Sequence, residues 1–365
     1  MTAGGAGAMP ADINPFTGEA TMTFRSSLRA LACIAAACGA SLAAQAAPSY
    51  HLVDLGAGTG ATGINDHGVV SGISGISNFS GVGSIWRDGA WLPRAQSTGF
   101  SDIDDQGELV GWATIGPDGN AVPAYWPHGG GPVQIDSPFT PKRTVPVAVA
   151  SGRVAGYAYG TTGPYHCFEW TPAGGYVDLA GSNGTGYCTA TDINDAGQVT
   201  GDMTPVGAAH PQAFIWQDGV MRFLGTLPGG TTSYGMAING KGHVAVNADR
   251  LLANGSMGQH AALWNGERLV DLGVIHKRGD SQAAAMNDHD DVVGREFDLH
   301  GVSTLFLYTS GQMFDLPALV DNLGDWQLTT PPSGIAADGT IVGSATLPGS
   351  TEQHAYMLVP AAPLH

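Results

Sequence analysis

The stretch Thr191–Gly201, TDINDAGQVTG, followed by QAFIWQDG (Gln212–Gly219) and VMRFLG (Val220–Gly225), decides how the chain is read. Apolar and polar residues alternate with a period of two on either side of Gly-bearing turns, so each run is a half-buried strand and consecutive runs are hairpins. The first hairpin recurs as ATGINDHGVVSG from Ala61, FSDIDDQGELVG from Phe100, VAVASGRVAG from Val147, GMAINGKGHVAV from Gly235, AAAMNDHDDVVG from Ala283 and PSGIAADGTIVG from Pro332. With the copy around Thr191 that makes seven, closing at Gly72, Gly111, Gly156, Gly201, Val246, Gly294 and Gly343. The intervals run from 39 to 49 residues, the mark of repeated units joined by loops of unequal length.

A second hairpin follows each of the first six, among them SIWRDGAWLP from Ser84, CFEWTPAGGYVDL from Cys167 and AALWNGERLVDL from Ala261. The seventh, AYMLVP at Ala355–Pro360, stops after one strand, while YHLVDLG at Tyr50–Gly56 stands before the first repeat with no unit of its own. Pairing these two completes every unit. An open stack would leave free strand edges, which natural sheets avoid, whereas a closed ring has none at its ends. The expected fold is therefore all-β, a seven-bladed β-propeller of four-stranded blades closed by the N-terminal strand; a β-solenoid is the alternative. Trp86, Trp126, Trp170, Trp216, Trp264 and Tyr308, with Leu358 last, share one position and are read as core residues packing blade on blade. Asp88-Gly89, Asp218-Gly219 and Asn265-Gly266 read as two-residue type I′ turns.

Composition agrees. At 43% hydrophobic and 12% charged, 365 residues suffice for a large core, and 55 Gly with 22 Pro suit many short strands. The net charge of −17, with only three Lys, repels polyanions and excludes nucleic acid as a partner. Residues 22–46 read as a signal peptide, with Arg25 and Arg29 before the apolar Leu31–Ala44 and an A-x-A site at Ala44–Ala46. Residues 1–21 read as an over-extended start, and 47–365 as one propeller domain with repeats near 57–96, 97–136, 144–180, 186–227, 231–273, 280–316 and 328–359, residues 50–56 completing the last. The expected protein is secreted or periplasmic, monomeric and without a transmembrane segment in its mature part. Cys33 and Cys38 fall in the leader, which leaves Cys167 and Cys188 either as one bridge or as two buried thiols.

The repeat resembles that of the bacterial extracellular HAF-repeat proteins, which couple an IN-x-x-G-x-V-x-G hairpin to a His-Ala-Phe-x-Trp strand and a DLG strand. The resemblance covers Tyr50–Leu358, although His166-Cys167-Phe168, Gln212-Ala213-Phe214, His260-Ala261-Ala262 and His354-Ala355-Tyr356 each depart from the naming tripeptide. It implies export and assigns no activity.

Candidate chemistry is sparse. Asp192–Gly197 and Asp102–Gly107 fail the D-x-D-x-D-G calcium register at Ala196 and Gln106, and read as turns. Asp66, Asp105, Asp195 and Asp288 share one turn position and would form a partial acidic ring at one channel mouth, broken by Ser151, Gly240 and Ala337; these are weak metal candidates. His166, His260 and His354 share the start of the third strand, on the face that also carries the irregular unit-to-unit connections VIHKRGDSQ (Val274–Gln282) and ALVDNLGDWQLTTPPSG (Ala318–Gly334). The three His are read first as caps of loop carbonyls and second as binding residues. Trp112 and Trp326 lie off the periodic aromatic position, in or beside these connections, and are the aromatic binding candidates. No catalytic residue and no cofactor is called for. The expected function is an exported, non-catalytic scaffold for a glycan, protein or surface component; the alternative is a propeller-type extracellular hydrolase or lyase with its site on the irregular face.

Overall fold

The computed structural model describes residues 47–365 except 78–79, 117, 137–142, 160–164, 182–183, 253, 277–278 and 299. The leader reading lies outside these residues. The repeats form seven four-stranded antiparallel sheets, the blades of a propeller, and among the described residues the sole helix is one 3-10 turn at Pro317–Leu319. Blade four shows the pattern, with Gly184–Ile193, Val199–Pro205, Gln212–Gln217 and Val220–Phe223 paired in chain order. The first strands of the seven blades are Thr59–Ile64, Ser97–Ile103, Arg143–Ala150, Gly184–Ile193, Ser233–Ile238, Asp280–Met286 and Gly334–Ile335; they surround the axis.

Blade seven is assembled from both ends of the fold. Its outermost strand is Tyr50–Ala57, antiparallel to Gln353–Pro360, with Tyr50 opposite Pro360 and Leu52 opposite Leu358. Trp91 of blade one donates its indole N–H to the Leu55 carbonyl at 2.8 Å and ties the closing strand to the first blade.

The core is distributed over the seams. Seven clusters of buried apolar residues each draw on two neighbouring blades: Ala213 and Leu224 meet Val244 and Trp264, and Val110 and Tyr125 meet Val154 and Trp170. A blade buries both faces only when it has two neighbours, which is why the periodic aromatic position is kept. Trp126, Trp170, Trp216 and Trp264 are buried there, and Leu358 fills the same slot in the last blade.

Two motif positions acquire physical reasons. Each of the first six first strands carries a one-residue bulge, as between Ala190 and Asp192 or between Ala283 and Ala285. The Gly that closes V-x-G lies against that bulge: a Cβ at Gly201 would sit 1.9 Å from the Thr189 carbonyl oxygen, and one at Gly294 would sit 2.0 Å from that of Gln282. The Asn of the IN turn does two jobs. Its Oδ1 accepts amides within its own turn, as Asn194 does from Ala196 and Gln198, and its Nδ2 donates to the matching carbonyl of the next blade. Asn65 reaches Asp104 at 2.9 Å, Asn194 reaches Asn239 at 2.8 Å, Asn239 reaches Asn287 at 3.1 Å, and Asn287 reaches Ala336 at 3.1 Å. Asp104, Ala150 and Ala336 interrupt this ladder at the seams that follow blades two, three and seven. The seam after blade three is crossed by the Cys167–Cys188 disulfide, with Cα atoms 5.0 Å apart.

Two local readings change. Asp88-Gly89 and Asp218-Gly219 do have both residues at positive φ, but Asn265-Gly266 begins a four-residue loop between Trp264 and Leu269, in which the Asn265 side chain accepts the amides of Glu267 and Arg268. The connection Ala318–Gly334 does not stay on the irregular face. Val320–Asn322 lies along the free edge of the closing strand: the Asp321 amide donates to Tyr50 O at 2.9 Å, and the Asn322 side chain takes both backbone groups of Leu52. An exposed strand edge is thereby covered. Trp112 lies beside the irregular face, one residue before the end of the second strand of blade two, opposite Gly99 and Pro123.

Candidate functional site

Strand direction sorts the loops into two faces. The IN turns and the third-to-fourth turns lie on one; the second-to-third loops and the blade connections lie on the other.

From the turn face, the axial channel is a stack of rings, one residue per blade. Asp66, Asp105, Asp195 and Asp288 line the mouth of a cavity of roughly 200 Å³. These carboxylates link successive blades: Asp66 accepts the Ala337 amide at 2.7 Å, Asp105 that of Asp66 at 2.7 Å, Asp288 that of Gly240 at 2.7 Å, and Asp195 the Ser151 hydroxyl at 2.8 Å. Among the described residues no group of three or more His, Cys, Asp or Glu is arranged to hold a metal ion. Below an apolar ring that includes Ile64, Ile193 and Ile335, a second cavity of roughly 250 Å³ is girdled by Gly63, Asp102, Ala148, Asp192, Ala237, Ala285 and Gly334.

Asp102 and Asp192 thus replace a small residue at a channel-lining position. Sequence reasoning treated them as failed calcium loops, although an acid where five equivalents are Gly or Ala was the available signal. Each accepts an amide of the next blade, Val149 at 3.0 Å and Ile238 at 2.7 Å. Burial pushes the Asp102 carboxyl up to about 6 and that of Asp192 up to about 7, the latter also raised by the charge of Asp102. Both hold a proton more tightly folded than unfolded. Their stabilising contribution is therefore complete below the unfolded value near 3.8 and is lost as pH rises through about 6 to 7. Asp192→Asn is expected to gain on the wild type in melting temperature as pH goes from about 5 to about 8. A difference that stays constant over that range would exclude the channel carboxyls as its source.

On the opposite face, the three equivalent His each have a carboxylate partner that the sequence reading did not include. Each ring meets the Asp of its own blade's outer strand: His166 Nδ1 to Asp178 at 3.1 Å, His260 to Asp271 at 2.8 Å, and His354 to Asp54 at 3.0 Å. The same Asp accepts the amide two residues on, from Ala180, Gly273 and Gly56. The His of the third strand and the Asp of the D-L segment are thus one strut. In blade five Arg250 joins it. Burial pushes the Asp271 carboxyl up, but His260, the Gly273 amide and Arg250 outweigh this and hold it below the usual carboxylate range. Trp326 is half-buried, its ring edge-on to His354 and Tyr356 at 5.7 and 6.2 Å. Trp112 is also half-buried and lies two blades away from it around the ring. The structure does not bring the two Trp together.

It does bring together Tyr157, Tyr159, Tyr165 and Tyr187, which sequence reasoning passed over. Tyr157 and Tyr159 share one side of a strand, 6.4 Å apart; Tyr165 stacks on both at 5.6 and 4.8 Å; and Tyr187 stands edge-to-face with Tyr165 at 4.9 Å. The Y-x-Y alternation, and a Tyr within two residues before each half-cystine, were the signals present.

No family model and no curated protein matches the chain. Among solved structures, the chain is similar to the beta-propeller domain of the Trilobed protease from Pyrococcus furiosus, with a TM-score of 0.55 at 9% identity over 84% of this chain and 93% of that one. It is also similar to a structure from an analysis of two prolyl endopeptidases, with a TM-score of 0.50 at 9% identity over 87% of this chain and 51% of that one. The Pyrococcus horikoshii acylaminoacyl peptidase follows, with 0.49 at 13% identity over 81% of this chain and 49% of that one. The chain thus spans about half the length of these full peptidases. At such identities the likeness concerns the fold. The Pyrococcus furiosus domain is described as having an open velcro topology, whereas here the ring is closed by a strand from each end. No helix among the described residues is long and apolar enough to cross a membrane.

Proposed function

We propose that the chain is an exported, non-catalytic scaffold of the HAF-repeat type that holds a glycan, protein or surface component on the face carrying its blade connections. The observation that supports this reading is where large apolar side chains stay exposed. Val82, Tyr187, Val206, Leu251, Met257 and Val302 come from blades one, four, five and six and lie at or beside the loops of that one face, whereas Leu92, Val133, Val177 and Val220 are exposed along the fourth strands. Such a garland of apolar contacts around a rigid disc suits the capture of a partner. The His–Asp struts beneath it brace strands against each other and keep the loops in place. Co-sedimentation with isolated cell-envelope fragments tests the reading. Wild type is expected to pellet, and Leu251→Ser/Met257→Ser/Val302→Ser to stay largely in solution; equal pelleting of the two would remove this face from consideration.

One observation favours the second reading, an extracellular hydrolase or lyase. Asp102 and Asp192 face one cavity with carboxyls poised near neutral pH, the state acid/base chemistry uses. Turnover of chromogenic glycosides or peptides that is lost in both Asp102→Asn and Asp192→Asn would replace the scaffold reading with this one.

A further inference from the structure

We propose that Tyr157, Tyr159, Tyr165 and Tyr187 form a binding site for a neutral glycan at the seam between blades three and four. This rests on the scaffold reading and names a ligand class for one place on its face. Tyr157 and Tyr159 follow the alternation of their strand, and Cys167, opposite Tyr157, directs that side toward blade four, where it is bonded to Cys188. Both sulfur-bearing residues are fully buried, while the four rings above them are not: Tyr187 is 61% exposed and the other three are half-buried.

A cluster built only for packing would sink its rings and satisfy its hydroxyls, since a buried tyrosine normally finds a hydrogen-bond partner. Here no hydroxyl of the four makes a hydrogen bond among the described residues; the buried Tyr356 also leaves its hydroxyl unpaired, so it is the exposure of these rings that sets the group apart. The exposed Tyr187 ring beside the outer surface of the stacked three matches a pyranose, whose C–H face stacks on a ring while its hydroxyls seek polar partners.

The flanking charges select the kind of glycan. Arg143 lies across the strand from Tyr159, and the His166–Asp178 pair adjoins Tyr165, so one base and one acid bracket the rings. The protein's net charge of −17 repels polyanionic sugars in addition. The site is also held in advance of binding: the Cys188 amide donates to the Tyr165 carbonyl at 3.0 Å, next to the disulfide, so little order remains to be imposed by the ligand.

The test is titration calorimetry of the oxidised full chain against cellohexaose, xylohexaose, maltohexaose and chitohexaose. At least one is expected to bind, and Tyr187→Ala and Tyr165→Ala are each expected to weaken it roughly tenfold, about the loss of one aromatic contact. Tyr187→Phe, which keeps the ring, should lose less. Because the Tyr187 side chain is largely exposed, its removal should leave the melting temperature unchanged, so a loss of binding there is not a loss of fold. Binding that survives both Ala variants, or that depends on Trp326 instead, overturns the site. Tyr-dependent binding of a proline-rich peptide with no sugar binding overturns the ligand class. A protein that binds none of the four sugars yet still pellets with envelope fragments overturns this proposal and leaves the scaffold reading standing; failure of both assays removes both.

Discussion

A chain lacking residues 47–57 is expected to show no cooperative thermal transition. Those residues supply the outermost strand of blade seven, in which Tyr50 is fully buried and Leu52 and Leu55 nearly so. Burying three such side chains contributes about 5–9 kcal/mol at roughly 1.5–3 each. Net stabilities of folded domains are only about 5–15 kcal/mol, so the deletion removes a quantity comparable to the whole. It also strips the apolar seams on either side. Tyr50 and Leu52 pack with Leu305 and Leu316 of the blade six region, and Leu55 packs with Val70 of blade one. Gln353–Pro360 would be left as an open edge, prone to self-association. Differential scanning calorimetry checks this, with a synthetic peptide of residues 47–57 added back as a rescue. A sharp transition at the wild-type temperature without the peptide would show that the ring does not depend on its closing strand.

The double variant Cys167→Ser/Cys188→Ser is expected to lose about 3 kcal/mol, the entropic value for a loop of 21 residues. This should appear as a melting temperature lower by several degrees. Location adds to the effect. The bridge joins the third strand of blade three to the first of blade four, where Ala150 provides no side-chain amide to continue the Asn ladder. On the turn face that seam is held by the Ser151–Asp195 hydrogen bond and at the opposite end by the bridge. Melting with and without reductant separates the contributions: reduced wild type should match the variant, and the variant should ignore reductant. Identical melting of oxidised and reduced wild type would sink the prediction.

The architecture was legible because blade formation is local. Two hairpins with Gly turns can be read from alternation alone, and the closing strand betrayed itself as YHLVDLG standing outside any unit. The site was less legible because its contacts join residues whose proximity depends on strand pairing. His260 and Asp271 are 11 positions apart on adjacent strands, a partnership that alternation does not announce. The His were read as caps for carbonyls for that reason. The tyrosine group needs the seam itself, since Tyr187 belongs to the blade after the one bearing Tyr157. Asp102 and Asp192 were visible as departures from Gly and Ala, but their raised carboxyls come from a cavity that exists only once the ring is formed. Asn265-Gly266 misled because loop length depends on where pairing stops, and here Trp264 pairs with Leu269.

The strut of the last blade joins His354 to Asp54, 300 positions apart. A nascent chain therefore makes one strand of this blade before the six other blades and the remaining three after them, and the early strand must wait without its partner through the synthesis of everything between. Six blades can pair their own strands as they emerge, but the circle is completed only when Gln353–Pro360 pairs with Tyr50–Ala57. Such long-range closure is slow, and it sets the moment at which the molecule stops being an open, sticky arc.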